Sequence, residues 1–131
     1  MGNASYIVDI RGFEIEGSED KPELFDFIQA LYYAFNMGSM EGVKKEIEFR
    51  NKEDEKKIIG VFEMIEKLDS DIEGHIADQC LGEGSLAIGW RWDTPQPEKA
   101  TPKKLEALKT ILENVGFTVQ SLEKDRFLTY G

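Results

Sequence analysis

The chain has 131 residues, is 40% hydrophobic and carries 26 acidic against 16 basic side chains, a formal net charge of −10. That apolar share is enough for a folded core of single-domain size rather than a disordered acidic tail, and no apolar run approaches the ~18–20 residues of a membrane span. Residues 1–42 hold 8 acids and 2 bases, and residues 71–100 hold 6 and 2; such surfaces repel nucleic-acid phosphate and anionic lipid and steer toward basic partners.

In chain order, Tyr6, Val8 and Ile10 alternate with Ile7, Asp9 and Arg11, which predicts a strand. After Gly12 the apolar parity shifts by one, to Phe13 and Ile15, the mark of a β-bulge or of a tight turn between two strands. Asp20 and Glu23 make a capping-box pattern, and Leu24, Phe27, Ile28, Leu31 and Phe35 follow at helical spacing, so a helix is expected from residue 21 to about 35. Phe25 and Tyr33 lie off that stripe and suit core packing or, second, a contact between two copies.

Val43, Ile47 and Phe49 predict a half-buried strand over 43–50. Asn51 suits an N-cap, and Ile58, Val61, Phe62, Ile65 and Leu68 supply the stripe of a second helix. Residues 71–81 are ambiguous, with strand or irregular structure favoured because Gly74 weakens a helix. Residues 86–92 predict a strand after the turn Gly82-Glu83-Gly84, and residues 94–102 a stiff connector with three of the four prolines. Thr101-Pro102 reads as cap and first helical position, Leu105, Leu108, Leu112 and Val115 as a third stripe, and Gly116 as its end. Residues 117–122 and 126–130 predict a terminal hairpin around Glu123-Lys124-Asp125. The expected fold is α+β: a single-domain two-layer sandwich, about three helices on a mostly antiparallel sheet.

Asp69-Ser70-Asp71-Ile72-Glu73-Gly74-His75-Ile76 resembles the first eight positions of an EF-hand calcium loop. Acids stand at positions one, three and five, glycine at six and isoleucine at eight, so that alternate oxygens converge on one hard cation. The resemblance implies Asp69, Asp71 and Glu73 as calcium ligands. It ends at position twelve, where Cys80 replaces the bidentate glutamate, and at Gly82 and Gly84, where an exiting helix belongs. The alternative reading is a polar turn in which Gly74 takes a positive φ.

Trp90-Arg91-Trp92 places both indoles on one strand face, with Trp90 suited to the core and Trp92 to either core or rim. His75 is the one histidine, read as a surface or loop side chain, and Cys80 the one cysteine, read as a small buried hydrophobe. Neither a multi-histidine metal site nor an internal disulfide can form, and no glycine-rich segment matches a phosphate loop. With no secretory leader visible, the expected setting is cytoplasmic.

The function expected from these features is non-catalytic. A small acidic protein would bind a basic protein partner, as immunity, inhibitor or adaptor proteins do, through Glu14, Glu16, Glu19, Asp20 and Glu23, with Trp92 as an aromatic anchor. No nucleic-acid or membrane partner is expected. The alternatives are a small-ligand or divalent-metal domain or carboxylate-dependent enzyme using Asp69, Asp71, Glu73 and Asp78, and a homo-oligomeric scaffold, a homodimer among them, built through the aromatic helix face.

Overall fold

The computed structural model describes residues 5–37, 49, 51–76, 85–91 and 100–130. Local sequence signals set its helices. Asn51 takes extended dihedrals and its side chain accepts the Asp54 N–H at 2.8 Å, which starts a helix over Lys52–Leu68. Thr101 does the same for Lys104 at 3.3 Å, with Pro102 in the first turn, and opens a helix over Pro102–Val115. Gly116 ends it at φ 110°, a left-handed conformation that favours glycine. The first helix, Glu23–Met37, begins two residues later than the Asp20/Glu23 pattern predicts. Lys21 instead bridges back to Ser18, and the Asp20 N–H donates to the Ser18 hydroxyl at 3.3 Å. In chain order these helices are α1 (Glu23–Met37), α2 (Lys52–Leu68) and α3 (Pro102–Val115).

The strands are β1 (Ser5–Glu16), β2 (Glu73–Ile76), β3 (Ser85–Arg91) and β4 (Thr118–Tyr130). They form an antiparallel sheet in the order β2-β3-β1-β4. Among the described residues the architecture is thus α+β, three helices and four antiparallel strands. Residues 73–76 settle as strand. The predicted strand over 43–50 lies, apart from Phe49, outside the described residues, as do Asp78, Cys80, the turn at 82–84, Trp92 and most of the 94–102 connector.

One core joins the layers. Phe13 and Ile15 of β1 and Leu86, Ile88 and Trp90 of β3 meet the apolar stripes of all three helices, with Phe27, Leu31, Ile58, Ile65, Leu108 and Leu112 essentially fully buried. Burying a side chain of this kind contributes about 1.5–3 kcal/mol. On α1, Tyr32, Tyr33 and Phe35 pack against this core, and the Phe35 and Phe62 rings meet edge to face at 5.3 Å. Phe25 packs over Gly17, so the aromatic surplus of α1 folds largely inward.

Two sequence expectations are corrected. The terminal hairpin does not form: β4 is one strand of 13 residues that pairs with β1 along its length. Glu123 and Lys124 fall in a bulge, where Gly12 faces Leu122 while Ile10 faces Asp125. Among the described residues β4 lies at the edge of the sheet, where charged residue types discourage further pairing, and the same types are common in turns. Of the two readings at Gly12, the tight turn does not form, since the pairing of β1 with β3 is unbroken from Ile10 to Glu16, whereas the β1–β4 register does shift between Ile10 and Gly12. The parity change instead records two buried faces. Ile10 points away from Phe13 and Ile15 by strand alternation, yet both it and Ala87, on the same face opposite Glu14, are fully buried, with Leu122 nearly so.

Candidate functional site

The segment that resembles a calcium loop is built as a helix end followed by a strand. Asp69 caps α2 with its N–H on the Ile65 carbonyl. Its carboxylate turns inward, with only 10% of the side chain exposed. Oδ2 accepts from the Trp90 indole N–H at 3.0 Å and from Lys104 Nζ at 2.9 Å, and Oδ1 accepts the Asp71 N–H at 2.9 Å. One side chain therefore ties the end of α2 to β3 and to the first turn of α3. Burial pushes its pKa up, and the bonds from Lys104, Asp71 and Trp90 more than reverse this, leaving it below the usual carboxylate value.

Glu73 projects from the other face of the sheet. Its Oε1 accepts from His75 Nε2 at 2.8 Å and lies 3.2 Å from Arg91 Nε. His75 is not a surface or loop residue: it is buried on β2, opposite Ala87. Gly74 between them has no positive φ; among the described residues only Gly116 does. What Gly74 supplies is space, because a Cβ there would lie 2.5 Å from the Phe35 ring.

Asp69 and Glu73 are thus committed to different donors on different faces of the sheet, while Asp71 is exposed and has a partner of its own. The structure does not gather the three carboxylates. Among the described residues no three carboxylate, imidazole or thiolate groups are placed to hold one metal ion. A cation at Asp69 Oδ2 would compete with Trp90 and Lys104 for the same oxygen.

Glu73 also sits below the usual carboxylate value: burial raises it, and the His75 bond and the Arg91 charge overcome that. A depressed folded pKa gives stability that is present above the unfolded value, about 4.3, and is lost as pH falls through it toward the folded value. The urea midpoint of the wild type is therefore expected to fall between about pH 5 and pH 3, and Glu73→Gln is expected to fall less over the same range. Parallel curves for the two would remove Glu73 from the acid response.

The acids expected to meet a partner follow one another along the path from β1 to α1. Glu16 ends β1, Glu19 and Asp20 occupy the turn, and all three are exposed. Glu14 is half-buried, has a partner within the protein and sits on the sheet face opposite Phe13. Glu23 is half-buried in the first turn of α1 together with Asp26, where carboxylates complement the helix dipole. Across residues 14–26 six acids meet one base, Lys21. Trp90 is a core residue, as its position on the strand implies.

Lys104 and Arg91, which set the state of Asp69 and Glu73, carry no sequence signal of that role. Lys104 is 35 residues from Asp69, and Trp90 is 21. Only the antiparallel register and the docking of α3 bring them together. No helix among the described residues is long and apolar enough to cross a membrane. Comparison with protein-family models, curated proteins and solved structures yields no match.

Proposed function

We propose that this chain is a non-catalytic interaction protein whose acidic β1–α1 end captures a basic surface on a partner protein. The observation that carries this reading is the run of exposed carboxylates Glu16, Glu19 and Asp20, flanked by Glu14 and Glu23 and opposed within the segment by Lys21 alone. Glu14 has a partner within the protein. Glu23 and Asp26 serve the start of α1, whereas Glu16, Glu19 and Asp20 precede it. Exposed charge of one sign contributes little to folding and acts mainly on association rate and partner choice.

The test follows from that division. Reversing Glu16, Glu19 and Asp20 together to lysine leaves the helix-start acids in place, so the melting temperature is expected to stay close to that of the wild type. The tagged wild type is expected to retain a basic protein from lysate at low salt and to release it at high salt, since exposed charge is screened within about a Debye length. The triple variant is expected to retain none of it. Equal retention by wild type and variant would reject this surface.

A further inference from the structure

A cleft of about 280 Å³ opens between α3 and the β1–β4 pair, close to the β4 bulge. This is near the lower end of the size range of small-molecule sites. Its floor is apolar, with Phe13 buried and Leu105 half-buried. Among the described residues its walls carry two bases from different elements, Arg11 of β1 and Lys109 of α3, and two exposed acids, Glu106 of α3 and Glu123 of β4.

Among the described residues Glu106, Lys109 and Glu123 make no ion pair and no side-chain hydrogen bond, so three of these four charges are uncommitted. Arg11 has a partner within the protein, and its guanidinium carries five donors. A lone anion entering this cleft would meet two carboxylates, and a lone cation would meet two bases. A molecule with both charges and a short apolar group answers all three wall types at once.

We propose that this cleft binds a small zwitterion of the amino-acid class. The carboxylate of the ligand lies toward Arg11 and Lys109, its ammonium toward Glu106 and Glu123, and its side chain over Phe13 and Leu105. The site is separate from the acidic β1–α1 end, and its test does not depend on that reading.

Amide NMR spectra of the full chain, titrated with L-leucine and with L-phenylalanine, decide it. At least one of them is expected to give saturable shifts at millimolar concentration, confined to residues 11–13, 102–109 and 121–123. N-acetyl-leucine and leucinamide each lack one charge and are expected to bind about tenfold more weakly than leucine, the loss of one charge-assisted contact. Lys109→Gln and Glu123→Gln change solvent-accessible side chains, so their melting temperatures are expected to match the wild type while binding weakens. Four results would each overturn the proposal: no saturable shift with either amino acid, shifts centred elsewhere, equal binding of the singly charged analogues, or full binding by both variants.

Discussion

Replacing Asp69 by alanine is expected to destabilise the fold by about 2–3 kcal/mol, most of it from stranding one donor. The Trp90 indole N–H is buried with its residue 3% exposed, and Asp69 Oδ2 is its acceptor. Removing the carboxylate leaves that donor desolvated without a partner, which by itself costs about 1–3 kcal/mol. The Asp71 N–H lies in an exposed turn where water can replace the lost oxygen. Lys104 is 37% exposed on its side chain, so water re-solvates its ammonium as well.

This asymmetry orders a set of variants. Lys104→Ala is expected to cost under about 1 kcal/mol, as a part-exposed ion pair does, and Asp69→Asn is expected to fall between the two because an amide oxygen still accepts from Trp90. Urea midpoints check the order, and tryptophan emission of Asp69→Ala checks the loosening around Trp90. In acid the signs follow from the lowered Asp69 pKa: the wild type loses this stabilisation as pH falls below about 4, while Asp69→Asn has none of it to lose. A Lys104→Ala cost equal to that of Asp69→Ala would place the energy in the ion pair instead of the indole bond.

Gly89→Ala is expected to be as damaging or worse, by about 3 kcal/mol or more. Gly89 and Gly12 face each other across β3 and β1. A Cβ on Gly89 would lie 2.2 Å from the Arg11 carbonyl oxygen, and one on Gly12 would lie 2.2 Å from the Ile88 oxygen. Both obstacles are backbone of the adjacent strand, which has no rotamer to move into. Relief requires parting β1 from β3 at the centre of the sheet, where Ile88 and Trp90 on one face and Ile10 and Ala87 on the other are already packed. For a chain of this length the loss corresponds to a fall in melting temperature of roughly 10 °C. Gly60→Ala on α2 is the matched control. Nothing lies within 4 Å of its Cβ position, so the same methyl group is expected to raise stability by about 0.5–1 kcal/mol through helix propensity. A Gly89→Ala protein as stable as the wild type would mean that the strands do not approach as closely as this register requires.

Features that depend on neighbours a few residues away can be read from the order of residues alone. Asn51, Thr101-Pro102 and Gly116 mark helix ends because capping is a contact between adjacent turns, and each acts as its type predicts. The three apolar stripes identify the helix faces that meet the core, and the short amphipathic strands indicate the α+β class. The acidic run over residues 14–26 is likewise legible, since exposed charge in a turn needs no distant partner to explain it.

The remaining features come from packing, because their causes lie far apart along the chain. Ile10 and Phe13 sit on opposite faces of an unbroken strand, and a parity change at Gly12 cannot distinguish two buried faces from a turn. Glu123-Lys124-Asp125 has the composition of a hairpin turn, and a bulge in an edge strand selects the same residue types. The acids at 69, 71 and 73 have the spacing of calcium ligands. What assigns Asp69 to an indole and an ammonium, and Glu73 to a guanidinium beside its near neighbour His75, is the packing of β3 and α3, whose donors lie 18 to 35 residues away in sequence. A carboxylate takes its role from the donors that reach it, and the fold chooses those donors.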